Sequence, residues 1–173
     1  KIPHICCGYP DKLDAINYPK APLDSYKKIA KTLDNSIIDS VSIEDAHRYN
    51  ELSLLKDYKH TKIIFGVIKI ASSKIEKVEE IQERINEALK FISKEQLVAA
   101  PDCGLGHLSR ELAIKKLKIM SIAAKKFKIK PPAIICVGRS VLMRQVLDWQ
   151  SLELGKIPRN MDPLNRGRPA ESA

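Results

Sequence analysis

Short runs of β-branched residues alternate, over the first 127 residues, with longer segments whose apolar side chains recur every three or four positions. The clearest helical pattern puts Val78, Ile81, Ile85 and Leu89 on one face. The pattern predicts strands at residues 3–6, 36–44, 62–70 and 97–100, and helices at residues 24–33, 46–58, 77–93 and, after a Ser109 cap, up to about 126. Because no hairpin signal such as Asn-Gly separates the strands, we predict a parallel sheet of βα units. A ligand site is then expected at the carboxyl ends of the strands.

The pattern changes after Phe127. Pro131 and Pro132 are followed by one β-like run and one helical pattern, and residues 156–173 contain almost no apolar side chains. Such a segment buries too little apolar surface to fold by itself, so it is predicted to be disordered. We therefore predict two regions, an α/β body at residues 1–127 and a basic, proline-containing tail at residues 128–173.

Charge is distributed unevenly between these regions. The formal net charge is +9, but residues 1–124 hold 20 Lys/Arg against 17 Asp/Glu, whereas residues 125–173 hold 10 against 4. The lysines of the body lie among glutamates at helical spacing, which is typical of a solvated helix face. The excess charge therefore belongs to the tail, and the pattern does not predict a nucleic-acid partner.

Cysteine content and apolar runs bear on location. No apolar run approaches the roughly 18 residues of a membrane helix, and Lys1-Ile2-Pro3 does not begin a secretory leader. Four cysteines in such a chain argue against a disulfide framework. We expect a cytoplasmic protein without a membrane partner, whose cysteines are buried thiols or metal ligands.

Three predicted strands end in residue types that bind metals. His4 and Cys6 close the first strand, Glu44 closes the second, and Cys103 follows the fourth. The strand period of two places His4 and Cys6 on one face, so Cys7 points the other way, where it either packs or supports the neighbouring ligands. One imidazole, two thiolates and one carboxylate form a four-ligand set that suits zinc.

Each of these residues also has an ordinary structural explanation when taken alone. A histidine at a strand end commonly satisfies a hydrogen bond, and a single cysteine commonly behaves as a small hydrophobe. The metal hypothesis depends on all four residues lying on one rim. His47, three residues after Glu44, and His107, four residues after Cys103, could approach the same rim, although loop and helix-cap roles also explain them.

Three segments resemble the zinc-ligand motifs of the cobalamin-independent methionine synthase family, in the same order and with similar separations. They are His4-Ile5-Cys6, Val41-Ser42-Ile43-Glu44 and Pro101-Asp102-Cys103-Gly104-Leu105. The resemblance covers about residues 1–124 and is strongest to the shorter, core-type members. It implies the C-terminal part of a (β/α)8 TIM barrel, with about four βα units and incomplete as given.

The same resemblance implies a function. In this family zinc binds the thiol of homocysteine, and the resulting thiolate attacks the N5 methyl group of 5-methyltetrahydrofolate to give methionine. Carried over by position, His4, Cys6, Glu44 and Cys103 are the Zn²⁺ ligands. Asp102 is a candidate catalytic residue that supports the ligands or contacts substrate.

Two features depart from the family's pattern. The long enzymes carry a histidine, in an Asp-Ile-His-Ser-Pro stretch, that helps to protonate the folate leaving group, and here Ala71 takes its place in residues 69–73. Either another acid acts, with His47 as a candidate, or the methyl donor is a corrinoid or other small molecule. The family's substrate-contacting acids lie upstream of the segment that begins at His4, so we expect a need for an N-terminal barrel half, in cis or as a separate chain.

Two alternatives stay open. One is a methionine synthase-like enzyme that alkylates another thiol, such as coenzyme M. The other is a non-catalytic fragment that zinc only stabilises.

Overall fold

The computed structural model describes residues 1–129. In chain order the elements are β1 (His4–Ile5), α1 (Ser25–Asp34), β2 (Ser40–Ile43), a 3-10 helix (Leu52–Asp57), β3 (Lys62–Ile68), α2 (Val78–Ala88), β4 (Leu97–Pro101) and α3 (Arg110–Lys126). Residues 130–173, which include most of the predicted tail, lie outside the described residues. Within residues 1–129, the helices are too short or too polar to cross a membrane.

The four strands form one parallel sheet in the order β1-β2-β3-β4. The register aligns His4 with Ser42, Ser42 with Ile64 and Ile64 with Val98. Each crossover returns the chain to the same end of the sheet, so all four carboxyl ends lie at one edge. This arrangement confirms the predicted α/β class and brings the ends of β1, β2 and β4 to the same rim.

The two faces of the sheet differ in burial. The buried cluster contains, from the sheet, Val41, Ile43, Ile63, Phe65, Leu97 and Ala99, and, from α2 and α3, Ile81, Ile85, Ala88, Met120, Ala123 and Ala124. The intervening strand residues Ser42, Ile64 and Val98 are only half-buried. Because side chains alternate along a strand, His4, which pairs with Ser42, lies on this less buried face.

Two predicted helices agree with the structure, and one is longer than observed. The helices predicted at 24–33 and up to 126 match α1 and α3 to within a residue, and the Ser109 hydroxyl accepts a hydrogen bond from the N–H of Leu112 at 3.3 Å, as a cap does. The helix predicted at 77–93 ends at Ala88. The helical pattern of apolar residues extends past Ala88 because Ile92, which lies in the turn after the helix, is also buried.

The strand predicted at 36–44 is limited to Ser40–Ile43. Its first residues terminate α1 instead, since the N–H of Ser36 donates to the carbonyl of Leu33 at 3.1 Å and the Ser36 hydroxyl donates to the same oxygen at 2.7 Å. Ile37, which contributed to the β-branched pattern, is 75% exposed.

The prediction of a helix at residues 46–58 is wrong, because only Leu52–Asp57 is helical and its hydrogen bonds are of the 3-10 type. Residues 44–51 form an irregular loop. The backbone N–H groups of Asp45, Ala46 and His47 donate to the carboxylate of Asp102. A contact 55 or more residues away in sequence thus replaces the local bonds of a helix.

Candidate metal centre

Four side chains from three strand ends meet at the carboxyl edge of the sheet. His4 lies in β1 and Cys6 directly after it, Glu44 follows β2, and Cys103 lies two residues beyond β4. One donor atom from each residue lies within 4.8 Å of every other. The fold therefore brings together all four residues that the sequence pattern selected.

The donor atoms are in mutual contact. His4 Nε2 lies 2.9 Å from Cys103 Sγ, and the two thiols lie 3.0 Å (Cys6) and 2.9 Å (Cys103) from Glu44 Oε1. The Sγ atoms are 3.6 Å apart. In a tetrahedral site with bonds of about 2.0–2.3 Å, neighbouring donors are separated by roughly 3.3–3.8 Å. The cluster therefore fits a tetrahedral metal ion after small outward movements of the side chains.

Electrostatics within the cluster also favour a bound cation. Glu44 is buried, Cys103 is half-buried, and His4 and Cys6 are exposed. Burial raises the pKa of the Cys103 thiol, and the hydrogen bond and negative charge of Glu44 raise it further. Burial and the hydrogen bond from its thiol to Glu44 likewise raise the pKa of Cys6. Two thiolates and a carboxylate at these distances are stable together only beside a cation, so the residues could hold a metal ion.

Asp102, next to Cys103, holds the loop that follows β2. Its Oδ1 accepts hydrogen bonds from the N–H groups of Asp45 and Ala46, both at 2.9 Å, and its Oδ2 accepts from the backbone N–H and Nδ1 of His47, both at 2.8 Å. The residue is 1% exposed, so these bonds form away from water, where they are strong. Asp102 thereby ties the segments of two predicted ligands together.

A glycine in β3 makes room for this carboxylate. A Cβ atom on Gly66 would lie 2.0 Å from Asp102 Oδ1 and 2.9 Å from Asp102 Cα. The pairing of β3 with β4 also shifts register between Gly66 and Ile68, and the N–H of Asp102 donates to the Ile68 carbonyl at 3.1 Å. Asp102 can therefore cross over β3 and reach the loop after β2.

Tyr26, on α1, sets the spacing between β1 and Glu44. Its hydroxyl donates to the carbonyl of Ile5 and accepts from the N–H of Glu44, both at 2.9 Å. Glu44 also accepts at Oε2 from the N–H of Cys7 at 3.2 Å, and at its carbonyl from Asn50 Nδ2 at 2.6 Å. Glu44 is thus fixed through both backbone and side chain. The side chain of Cys7 is buried in the core, as predicted for a residue that points away from the rim.

A hydroxyl on the neighbouring strand orients His4. Its Nδ1 lies 3.0 Å from Ser42 Oγ, and its Nε2 faces Cys103 Sγ. A proton on Nδ1, donated to Ser42, leaves the lone pair of Nε2 available to a metal. The contact follows directly from the β1–β2 register, which pairs the two residues.

His47 lies behind the cluster and is bonded to the protein through both ring nitrogens. Its Nδ1 bonds Asp102, and its Nε2 accepts from the N–H of Ala71 at 3.3 Å. This network assigns the proton to Nδ1. The loop at Ala71 is held a second time by the N–H of Asp14, which donates to the Ala71 carbonyl at 2.7 Å.

His107 contacts the loop after β1 rather than the cluster. Its Nε2 lies 2.9 Å from the carbonyl of Pro10, and its ring stacks on Tyr9 with centroids 4.9 Å apart. The Tyr9 hydroxyl donates to the carbonyl of Gly104 at 3.2 Å. These contacts join the β4–α3 loop to the loop after β1. His107 therefore has the structural role in a loop that the sequence left open for it.

Residues 18–21, here called the strap, lie against the backbone that follows β1. Gly8 has a φ of +149°, and a Cβ there would lie 2.2 Å from the carbonyl oxygen of Pro19. The N–H of Ala21 donates to the carbonyl of Cys7 at 2.7 Å. Gly8 is therefore required for this close approach, which holds the strap next to the ligand segment of β1.

The strap also contacts the loop after β2. The guanidinium group of Arg48 donates to the carbonyl of Ala21 at 2.6 Å. The ring of Tyr18 meets that of His47 edge-on, with centroids 6.4 Å apart, and the ammonium group of Lys20 lies 4.6 Å from the Tyr18 centroid. Two polar side chains of the strap are thereby placed beside the rim.

Apart from Asp102, the residues that hold the candidate ligands in place were not predicted from the sequence. The role of Gly66 could have been predicted, since a single glycine in an apolar strand often marks a place where another part of the backbone or a ligand approaches closely. The role of Ser42 could also have been predicted, because it lies two residues before Glu44 on the same strand face. The roles of Tyr26 and of the strap could not have been predicted from the sequence, since they depend on how α1 and the loop after β1 pack.

The matching protein family is described as "Cobalamin-independent synthase, Catalytic domain", and the match spans residues 23–126. It covers more than half of the chain. It includes Glu44 and Cys103, while His4 and Cys6 precede it.

Curated relatives carry the name methionine synthase. The protein of Thermococcus kodakarensis is 32% identical over 94 residues, which cover 54% of this chain and 28% of the relative. The protein of Saccharolobus islandicus is 35% identical over 97 residues, which cover 55% of this chain and 29% of the relative. The matched part thus spans less than a third of these relatives.

A solved structure supports the same assignment. The B12-independent methionine synthase from Shewanella sp. W3-18-1, in complex with selenomethionine, matches with a TM-score of 0.60 and 28% identity, over 73% of this chain and 38% of that chain. That enzyme is a TIM barrel, so the parallel βα units described above form part of such a barrel, as predicted. The chain belongs to the cobalamin-independent methionine synthase family, through its catalytic domain.

Proposed function

We propose that this chain contributes the zinc site of a methyltransferase that methylates the thiol of homocysteine to form methionine. The observation that carries the proposal is the cluster of His4, Cys6, Glu44 and Cys103, whose donor atoms all lie within 4.8 Å of one another. One imidazole, two sulfurs and a carboxylate form a donor set that zinc prefers.

Zinc would supply the positive charge that lowers the pKa of a bound thiol, so that the sulfur is a nucleophile at neutral pH. The protein's part is to hold the four donors in place. Tyr26 fixes Glu44 against β1, Asp102 fixes the loop after Glu44, and Ser42 orients His4. In the reaction, the bond from the methyl carbon to the donor breaks as the carbon–sulfur bond forms.

The methyl donor is proposed to be 5-methyltetrahydrofolate or a related molecule. A folate nitrogen must take up a proton when it leaves. His47, the candidate acid, carries its proton on the nitrogen that faces Asp102, and its other nitrogen accepts from Ala71. Protonation of that second nitrogen would break the bond to Ala71. This observation supports a second candidate donor, a methyl corrinoid, whose leaving group departs without a proton.

We further propose that other strands of the barrel complete the site, in cis or in trans. In the described sheet, β1 and β4 are the edge strands, and the ligand-bearing face is only half-buried. Edge strands with unpaired backbone groups need protection, and in a closed barrel further strands pair with them. The cytoplasm is the proposed location, because thiols 3.6 Å apart stay reduced and able to bind metal only in a reducing compartment.

Zinc content and methyl transfer test this function together. The full chain should bind one zinc ion, and Cys103→Ala should lose most of it, while Cys7→Ala, the matched thiol control, should keep it. Methionine formation from homocysteine should be measured with 5-methyltetrahydrofolate and with methylcobalamin, with and without the remaining barrel segment. Unchanged zinc content in Cys103→Ala would contradict the ligand assignment.

A further inference from the structure

The helices α2 and α3 each place one buried basic side chain against a loop at the carboxyl edge of the sheet. Arg84, on α2, contacts the loop after β2, and Lys116, on α3, contacts residues 69–76 after β3. The side chain of Arg84 is 12% exposed and that of Lys116 is 0% exposed. Only the first of these two loops carries a candidate metal ligand, Glu44, so the two cations differ in what they hold.

Arg84 binds the loop after β2 at two places. Its Nε and Nη2 donate to the two carboxylate oxygens of Asp45 at 2.6 and 2.8 Å, and Nη2 also donates to the carbonyl of Asn50 at 2.9 Å. Its Nη1 donates to Glu87, on the same helix, at 2.7 Å. The guanidinium group thus joins both ends of residues 45–50 to α2.

Asn50 connects these contacts to Glu44. The Oδ1 of Asp45, which Arg84 also contacts, accepts from the backbone N–H of Asn50 at 2.8 Å and from its Nδ2 at 3.1 Å. The same Nδ2 donates to the Glu44 carbonyl at 2.6 Å. The buried amide group of Asn50 is therefore held between the carboxylate of Asp45 and the backbone of the candidate ligand.

The charge of Asp45 makes Arg84 necessary to this arrangement. The Asp45 side chain is 0% exposed. Another buried carboxylate lies close to it, since Asp102 Oδ1 accepts from the Asp45 N–H at 2.9 Å. Arg84 supplies the positive charge that balances Asp45, and a buried charge that loses its partner is strongly destabilised. Without Arg84 the carboxylate would therefore leave its place, and Asn50 would lose the acceptor that orients its amide group.

We propose that Arg84 is a positioning residue for the metal ligand Glu44 and acts on it through Asp45 and Asn50. The inference rests on the proposed function, because it requires Glu44 to bind the metal. It extends the metal centre from the edge of the sheet to the outer helices. The strand ends bring the donors together, and α2 fixes the backbone of one of them.

A double-mutant cycle on the zinc affinity of the full chain tests this role. Zinc competition is measured for the wild type, Arg84→Met, Glu44→Gln and the double variant. We expect Arg84→Met to lower the affinity about tenfold in the wild-type background, as is usual for residues that support metal ligands. When Glu44→Gln is already present, it should lower the affinity by no more than about twofold, because a positioning residue acts through its ligand. Arg84→Lys, which keeps the charge but not the fork, should recover part of the affinity.

Lys116→Met is the matched control, since it removes a buried cation from the next helix. The Lys116 Nζ donates to the carbonyls of Lys69 and Lys74 at 3.1 and 2.7 Å and pairs with Glu76 at 3.0 Å. Its loss should lower the free energy of unfolding, as the loss of Arg84 does. Any change that it causes in zinc affinity should be the same with and without Glu44→Gln.

The cycle separates this inference from the proposed function. If the losses of affinity in Arg84→Met and Glu44→Gln add fully, Arg84 has only a structural role, and the inference is overturned while the proposed function stands. An unchanged zinc affinity in Glu44→Gln alone would contradict the ligand assignment, and the proposed function with it.

The visible spectrum of the cobalt(II)-loaded full chain gives a second readout, which does not depend on affinity. The d–d bands report the whole donor set, whereas the thiolate-to-cobalt charge-transfer bands report the sulfur donors alone. We expect Arg84→Met to shift the d–d bands towards those of Glu44→Gln without changing the charge-transfer intensity, and Lys116→Met to keep the wild-type spectrum. Arg84→Gln, which keeps a donor for Asp45, replaces Arg84→Met if that variant fails to fold. A wild-type d–d spectrum in the Arg84 variant would contradict positioning of Glu44.

Discussion

The two loops that flank the cluster are held in opposite ways. In the loop after β2, residues 44–51, three backbone N–H groups donate to the carboxylate of Asp102. Arg84 also holds this loop, because its guanidinium group donates to both carboxylate oxygens of Asp45 at 2.6 and 2.8 Å. The backbone N–H groups of residues 44–47 all donate to protein acceptors, and the side chains of Glu44, Asp45 and His47 are all hydrogen-bonded to the protein. The contacts of this loop hold the candidate ligand Glu44 in place without help from outside the described residues.

The loop after β1, residues 6–24, is held by a few backbone hydrogen bonds and by the contacts of Tyr9, His107 and Arg48, and it exposes several apolar side chains. Leu13 is 36%, Leu23 57% and Ile16 91% exposed. It contains Lys20, which lacks an acceptor in the described chain. The described residues thus hold the loop that carries the candidate ligand Glu44 tightly, and hold the loop after β1 less tightly.

The largest effect is expected from Asp102→Ala, which breaks the tightly held loop. Three backbone N–H groups and His47 lose their acceptor, and each buried donor left unpaired costs about 1–3 kcal/mol. We expect the free energy of unfolding to fall by at least about 3 kcal/mol and the zinc affinity to fall by about a hundredfold. Urea denaturation and zinc competition measure the two effects.

Asp11→Ala is the control for Asp102→Ala, since Asp11 is exposed and its removal should change neither quantity. Asp102→Asn keeps an acceptor for Asp45 and Ala46 and should lie between the two. A wild-type zinc affinity in folded Asp102→Ala would show that the held loop does not position Glu44.

The next effect is the dependence of zinc affinity on pH. The pKa values of Cys6 and Cys103 are raised by burial and by Glu44, so both thiols are protonated at neutral pH in the metal-free chain. Zinc binding then releases two protons, and the affinity should rise about a hundredfold per pH unit below the thiol pKa values, levelling off above them. Zinc competition at several pH values measures the slope, and a flat profile around neutrality would contradict thiolate ligation.

Gly66→Ala should destabilise the same loop by crowding it. The added Cβ would meet the backbone and carboxylate of Asp102 at 2.9 and 2.0 Å, so one of them must move. Overpacking of this kind costs about 1–3 kcal/mol of unfolding free energy. Gly104→Ala is the matched control, because its Cβ would have no neighbour within 4 Å. Equal melting temperatures for the two variants would exclude the proposed clash.

The smallest effect is expected from Ser42→Ala. The variant removes the hydroxyl that bonds His4 Nδ1 at 3.0 Å, and with it the preference for the ring orientation that presents Nε2. Zinc affinity should fall by about tenfold with little change in unfolding, as is usual for partners of metal-binding histidines. Ser40→Ala, in the same strand, should leave zinc affinity unchanged. An unchanged affinity in Ser42→Ala would mean that the β1–β2 pairing alone orients His4.

Sequence pattern predicted the strands of the sheet and the candidate ligands, because both depend on local information. The period of two placed His4 and Cys6 on one face, and the end of each strand placed Glu44 and Cys103 at the rim. The loop after β2 could not be predicted this way. Its residues 46–51 have a helical pattern, but the N–H groups of Ala46 and His47 donate to the carboxylate of Asp102, which is distant in sequence.

The surroundings of Lys20 could not be predicted either, because nothing in the sequence distinguishes it from the many other lysines. Its position over the Tyr18 ring belongs to the strap, which Gly8 allows to lie against the backbone after β1. The tail at residues 128–173 stays a prediction, since nearly all of it lies outside the described residues.

X-ray absorption at the zinc edge of the loaded full chain tests the central claim most directly. We expect two sulfur donors at about 2.3 Å and two nitrogen or oxygen donors at about 2.0–2.2 Å. Addition of 3-mercaptopropionate should add a third sulfur donor. A zinc ion bound mainly by oxygen and nitrogen, or a sulfur count that stays the same when the thiol is added, would contradict it.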